Sequence, residues 1–310
     1  MQAAVWWIIL FTLASAGTLV LGLLSKWVDR KVTARVHWRV GPPWYQPFAD
    51  VLKLLGKETL VPESAGQGFL LAPVVGLAAT CLAVAIIWSA NIWPESSFVG
   101  DIIVVLYLLA IPSLAIILGG SLSGNPHASV GASREMKLLL AYELPLVLAV
   151  LAVILGGEGS RTLSLGAIAH SPMRGALPTV ACVLGFLISV LCIQAKLGLV
   201  PFDIAEAETE IMSGPFVEYS GAPLAVFYLT RAMLFAALPV FLVTVFWGGF
   251  GPGPVGWVRG IAEYLVVVVL MVLIRNTNPR VRIDHAVKFF WFGLTPIGLL
   301  ALALAMVGLS

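Results

Sequence analysis

Eight stretches of this sequence are apolar for long enough to cross a bilayer, and that one property governs what the chain can become. A spanning helix needs about 20 predominantly apolar residues. Such windows fall at roughly 4–24, 69–90, 101–120, 137–156, 178–196, 222–247, 259–276 and 288–308. Polar, Gly- or Pro-bearing segments separate them, and neither a low-complexity tract nor a repeat of the transporter kind is visible. Of the 310 residues 60% are hydrophobic and 11% charged, with a mean hydropathy of +1.00. A soluble domain would carry about a quarter charged residues. The expected fold is therefore an all-α membrane protein, a single polytopic domain over 1–310 with about eight transmembrane helices. A net charge of +2 gives no argument for nucleic acid.

Basic residues set the expected orientation. Connections after the first, third, fifth and seventh runs hold fourteen of the eighteen Lys and Arg, from Lys26 to Lys288, whereas the opposite connections hold only Arg161, Arg174 and Arg259. Positive residues collect on the cytoplasmic side, so both termini are expected outside a cytoplasmic membrane and the charged connections inside. Ala14-Ser15-Ala16 mimics a signal cleavage site, but no positive charge precedes the first run, which reads as a retained helix. In the long first connection, Pro47 to Leu55 reads as a short amphipathic surface helix, with Phe48, Val51, Leu52 and Leu55 on one face. It either lies on the membrane, rests against a partner, or is an ordinary surface helix.

Against this apolar background the segment Pro201 to Glu210 is anomalous. Asp203, Glu206, Glu208 and Glu210 are four of the chain's sixteen carboxylates, set between two long apolar runs. Charge near a bilayer is costly without water, a partner or a proton. Glu206 and Glu210, at i and i+4, would share a face if the stretch is helical. Mutual repulsion is then expected to raise at least one pKa, the chemistry of a proton relay. The alternative is a solvated acidic loop. Glu143 lies inside the fourth run, two residues before Pro145, which frees backbone carbonyls for it to bond. Its other reading is a structural partner for Arg134 or Lys137. Arg231 falls inside the sixth run and needs a carboxylate, with Glu218 or an acid of 203–210 as the mate. Cys81, Cys182 and Cys192 match neither a zinc nor an iron–sulfur spacing, and core packing suits them. The four histidines share no ligand spacing, and neither a Walker loop nor a dinucleotide fingerprint occurs.

Several ordered motifs carry a resemblance. Arg30, Arg35 and Arg39 lead into Gly41-Pro42, then Gln46-Pro47-Phe48-Ala49-Asp50 and Lys57-Glu58. Gly131 to Glu135 precedes Tyr142-Glu143-Leu144-Pro145. Pro201-Phe202-Asp203 with Glu206, Glu208 and Glu210 precedes Ser213-Gly214 and Val217-Glu218-Tyr219-Ser220-Gly221. Arg280-Val281-Arg282-Ile283-Asp284 precedes the last run. Together they resemble the NADH-quinone oxidoreductase H-subunit family, the heel subunit of respiratory complex I, with relatives in the membrane-bound hydrogenases. Quinone-reducing members carry an additional Gly-Pro loop before Gln46. Its absence here looks like the [NiFe]-hydrogenase and sulfane-reductase branch.

The resemblance implies a coupling subunit that docks iron–sulfur and hydrogenase-like large subunits on the cytoplasmic side, beside antiporter-like membrane subunits. Ferredoxin-driven electron transfer there, evolving hydrogen or reducing sulfane, would be linked to proton or sodium translocation. Cofactors are expected in the partners, iron–sulfur clusters and a [NiFe] site, with none on this chain. It implies a proton relay through Glu143, Asp203, Glu206, Glu208, Glu210, Glu218 and Asp284. Arg280 and Arg282 would tune it, with Arg30, Arg35, Arg39, Lys57, Arg134 and Arg231 in tuning or docking roles. Two alternatives stand beside it: the quinone-site subunit of an NADH-quinone oxidoreductase, and, from another class, a stand-alone secondary ion transporter.

Overall fold

The computed structural model describes residues 2–156, 162–170, 179–251 and 253–307, with side chains from Trp6 onward. Arg161 and Arg174, two of the three outward basic residues, lie outside the described residues. All regular structure among the described residues is helical. In chain order the elements are α1 (Gln2–Val36), α2 (Gln46–Leu55), α3 (Leu71–Ile92), α4 (Asp101–Leu122), α5 (Pro126–Leu155), α6 (Leu165–Ala169), α7 (Val180–Lys196), α8 (Glu208–Ile211), α9 (Gly221–Phe246), α10 (Gly253–Thr277), α11 (Ile283–Lys288) and α12 (Thr295–Val307). Seven helical segments are long and apolar enough to span, counting α11 through α12 as one, and the 17-residue α7 is a shorter eighth. The surface helix is present as α2, close to its expected bounds.

Two boundaries differ from the apolar windows, for one reason. Helix formation depends on backbone breakers and caps, whereas the windows track oil alone. No Gly or Pro interrupts Lys26 to Arg39, so α1 continues through its basic tail to Val36 and ends where Trp38 takes φ 57°. The Arg39 N–H then closes onto the Ala34 carbonyl at 2.7 Å. Likewise α5 starts not near 137 but at Pro126, where the Asn125 side chain accepts from the His127 N–H at 2.8 Å and Pro stands in the first turn. Gly131 to Glu135, expected in a connection, is therefore helical.

Helix α9 is the central pillar, apolar and buried almost all round. Helices α1 and α3 pack on it. Gly22 allows the closest approach of α1: a Cβ there would overlap the Ala232 carbonyl. Away from the charged loops the bundle is pinned by polar side chains. Asn91 donates to Thr244 Oγ1 at 2.8 Å and accepts from the Phe250 N–H at 3.0 Å, and Asp101 accepts from the Leu165 N–H at 2.5 Å. The last crossing is broken by a π-helical turn, Phe289–Leu294, where the Thr295 hydroxyl bonds the Phe290 carbonyl. Cys192 sits in the main core and Cys81 and Cys182 are half-buried.

Candidate functional site

The acidic segment folds as an irregular loop between α7 and α9 rather than as a helix. Only Glu208–Ile211 makes a helical turn, so Glu206 and Glu210 do not share a helical face. The cause is burial: Phe202, Ile204, Ala205, Ala207 and Ile211 turn into the core, and the acids between them leave in separate directions. The loop is anchored at both ends. Gln194 donates to the Val200 and Met271 carbonyls, the Val281 N–H bonds the Pro201 carbonyl at 3.0 Å, and Tyr219 stacks on Phe69 while donating to its carbonyl at 2.8 Å. Gly214, at φ 53°, passes so close to the Ala205 carbonyl that no side chain fits.

Each acid but one meets a different base. Arg280, in the connection before α11, donates to Asp203 at 2.5 Å. Arg231 of α9 grips both oxygens of Glu206 while its guanidinium lies 4.6 Å from the Phe216 ring centroid. Arg134 of α5 donates to Glu210 at 2.5 Å and to the Ile204 carbonyl at 3.3 Å. Glu218 is bonded by the Asn125 side chain at 2.5 Å, so of the two mates expected for Arg231 the loop acid is the one engaged. Glu208 is exposed at the mouth of a cavity of about 250 Å³ that Glu206, Tyr228 and Arg231 also line. Burial pushes the Asp203 carboxyl above its usual range against the pull of Arg280. The expected upward shift thus falls on Asp203, and desolvation rather than repulsion between neighbouring acids causes it.

A second group of polar side chains continues from this loop into the bundle. Glu135 of α5 is 5% exposed, with the Ser113 hydroxyl and the charge of Arg231 within its electrostatic reach. Ser113 Oγ lies 3.2 Å from the Tyr142 hydroxyl. The Tyr142 ring, seven residues and so nearly two turns beyond Glu135, has Lys196 Nζ 5.5 Å from its centroid. Lys196 in turn reaches Glu143 at 3.3 Å. Glu143 is therefore answered by the last residue of α7 rather than by Arg134, Lys137 or carbonyls freed by Pro145. The result is one sequence of groups: Glu206, Arg231, Glu135, Ser113, Tyr142, Lys196, Glu143.

Sequence reasoning missed Glu135 and Lys196 as site residues. Glu135 would have stood out as an acid within a spanning helix had Asn125-Pro126 been read as its start. Lys196 reads as a simple flanking charge, and only the depth at which α7 ends reveals it. Asp29 was missed too. It is 2% exposed on α1, pairs with Arg275 of α10, and leaves Oδ1 without a partner. Beside it the Ser25 and Tyr264 hydroxyls meet at 2.6 Å.

The remaining expected residues lie outside this sequence of groups. Arg282 and Asp284 are exposed and pair loosely with each other at 3.6 Å. Arg30 bonds Asp50 of α2 at 2.7 Å. Burial alone would raise the Asp50 pKa, but the hydrogen bonds from Arg30 and Gln46 outweigh it and hold the carboxyl below the usual range. Arg35, near the end of α1, Arg39 and Lys57 are all exposed. Around them Trp38, Val40, Trp44 and Tyr45 present large apolar side chains to the outside, Trp38 being 98% exposed.

Comparison with known proteins places this geometry in context. The family model described as NADH dehydrogenase matches residues 8–306. The H subunit of NADH-quinone oxidoreductase from Dehalococcoides mccartyi (strain CBDB1) is 34% identical over 294 residues, covering 89% of this chain and 79% of that protein. Its namesake from Anoxybacillus flavithermus (strain DSM 21510 / WK1) is 34% identical over 300 residues, covering 91% and 87%. A chain in the structure of the membrane-bound sulfane sulfur reductase, an archaeal respiratory membrane complex, superposes with a TM-score of 0.87 at 30% identity, covering 96% of this chain and 99% of that one.

Proposed function

This chain belongs to the NADH dehydrogenase family, which includes the H subunit of NADH-quinone oxidoreductase, and from that premise we propose that it moves protons between the acidic loop and the bundle interior as the coupling subunit of an energy-converting respiratory complex. The observation that carries the reading is Arg231 of α9, gripped through both carboxylate oxygens by Glu206 on the loop side, with the buried Glu135 of α5 within reach of its charge. A proton arriving on Glu206 removes the charge that holds Arg231, and the freed guanidinium then favours an ionised Glu135. The Ser113 and Tyr142 hydroxyls, 3.2 Å apart, extend the path, and Lys196, over the face of the Tyr142 ring, links it to Glu143 through charge rather than through a hydrogen bond to the Tyr142 hydroxyl. Charge redistribution among paired groups lets protons move in steps while few are unpaired at once.

The exposed apolar and basic surface around Trp38, Arg39, Trp44 and Lys57 supports docking of a soluble iron–sulfur and catalytic arm. The asymmetry of basic residues supports an orientation with both termini outside and this surface inward. In the preferred reading that arm oxidises ferredoxin and reduces protons or sulfane sulfur, while antiporter-like neighbours export the ion. The short passage from Gly41 to Gln46 supports this branch. The second reading, a quinone-site subunit, draws on the names of the curated relatives. Acceptor assays on the purified complex separate the two, and nickel beside iron selects the hydrogenase form.

The relay is tested in the intact complex reconstituted in vesicles. Glu135→Gln and Glu143→Gln are each expected to depress coupled ion transport by about 100-fold. Unchanged transport and turnover in both variants would overturn the assignment. The chain reconstituted alone is expected to move no ions; transport by the lone chain would revive the stand-alone transporter.

A further inference from the structure

Pro296 falls inside the last crossing, where it supplies no N–H and where, in a regular helix, its ring would crowd the carbonyl of Phe292. The chain widens just before it. Residues Phe289–Leu294 form a π turn, and the Phe290 carbonyl accepts both the backbone N–H and the hydroxyl of Thr295, the latter at 2.9 Å. In a regular helix, residues four apart drift by about 40° around the axis, so Ala286, Phe290, Leu294 and Gly298 would move progressively off one face. The wider turn offsets that drift, and all four are buried. Such turns are uncommon and frequently sit at functional sites.

We infer that the π turn makes Phe290 a positioning residue for the Tyr142 hydroxyl, linking the acidic loop mechanically to the polar groups inside the bundle. The inference rests on the relay reading above and names a residue that carries no proton itself. The Phe290 ring is wholly buried, with its centroid 4.8 Å from that of Phe202 and 6.4 Å from that of Tyr142, which it meets edge to face. Phe202 is the loop residue immediately before Asp203, whose carboxylate Arg280 holds. Tyr142 is the relay residue whose hydroxyl faces Ser113. Three buried rings in series leave no slack, because a packed interior passes a displacement on rather than absorbing it. The end of the series is also sensitive. Ser113 and Tyr142 are 3.2 Å apart, beyond the common spacing of about 2.7–2.8 Å for two hydroxyls. A few tenths of an ångström at Phe290 therefore tightens or breaks that contact.

The test uses the intact complex in vesicles, read as coupled ion transport. Tyr142→Phe removes the hydroxyl alone and is expected to lower transport about 100-fold. Phe290→Leu keeps the site apolar but removes the ring, and should lower transport roughly 10-fold. Added to Tyr142→Phe it should lower transport no further, because a residue that acts through that hydroxyl then has nothing left to position. Thr295→Val loses the hydroxyl bond to the Phe290 carbonyl at nearly unchanged shape and should lower transport roughly fivefold, and Thr295→Ser should restore it. This second pair decides the matter if the Phe290→Leu complex does not assemble. Full transport in Phe290→Leu, further loss in the double variant, or wild-type behaviour of Thr295→Val would each overturn the inference while leaving the relay standing. Undiminished transport in Tyr142→Phe would overturn the relay at this hydroxyl, and the inference with it.

Discussion

Glu143 and Lys196 form a pair whose two members are unequally buried, and that inequality makes a sharp prediction. The Lys196 side chain is 1% exposed and the Glu143 side chain 29%. At 3.3 Å and an effective dielectric of about 20, their attraction is about 5 kcal/mol before desolvation is subtracted. Removing one partner of a buried pair costs about 3–5 kcal/mol, mostly for the charge left behind. Glu143→Gln strands the ammonium over Tyr142 with no water to turn to, so its cost belongs in that range. Lys196→Met leaves a carboxylate that is only partly buried within this chain and keeps an aliphatic stem on the Tyr142 ring, so a smaller cost of about 1–2 kcal/mol is expected. The double variant has neither charge and should be more stable than Glu143→Gln alone by about 2 kcal/mol. Equilibrium unfolding of the purified chain in mixed micelles gives the four corners of the cycle, and thermal denaturation of the complex checks the ranking. A reversed order, or additive single effects, would refute the argument that asymmetric burial sets these energies.

The Asp50 pKa is lowered from 3.8, so the stability its pair with Arg30 lends to α2 is present above that value and lost as pH falls through the folded-state pKa. Hydrogen-exchange protection factors over Gln46–Leu55, corrected for the intrinsic pH dependence of amide exchange, should fall on acidification, and Arg30→Gln should remove most of that dependence. Asp203 has the opposite sign: its folded-state pKa is raised above 3.8, so burial of the carboxylate destabilises the loop increasingly as pH rises through that interval. Arg280→Gln should therefore melt lower at neutral pH and recover toward the wild type on acidification, and adding Asp203→Asn should abolish the recovery. Gly22→Ala places a methyl against the Ala232 carbonyl and should cost about 1–3 kcal/mol by forcing α1 from α9. An unchanged melting temperature and a monodisperse chromatographic profile would contradict that close packing.

Much of the fold was legible because lipid makes apolar length decisive. The eight windows anticipated the seven helical segments long enough to span and the shorter α7, and the face of Phe48, Val51, Leu52 and Leu55 anticipated α2. The ends of α1 and α5 were misjudged because a helix ignores the change from oil to charge at Lys26 or before Lys137 and stops at a backbone turn or cap such as the left-handed Trp38 or Asn125. Within the site, the acids of 203–210 and Glu143 stood out because charge amid apolar sequence is costly. Glu135 and Lys196 did not, since each looked like an ordinary residue at the end of a run.

By itself, then, the sequence determined that this is a helical membrane protein, which face carries the charge and which carboxylates are out of place. These follow from local terms: hydropathy, breakers, and the cost of charge near lipid. Which base meets which acid was decided by tertiary structure alone. Arg231 and Glu206 are separated by a loop that Gly214 folds back on itself, Arg280 reaches Asp203 across α7 to α11, and Glu143 depends on how deep α7 ends. Ion pairs over such separations are fixed by where rigid helices place their ends in space. Any of the arginines could have served any of the acids, and only the packing around α9 assigned one to each.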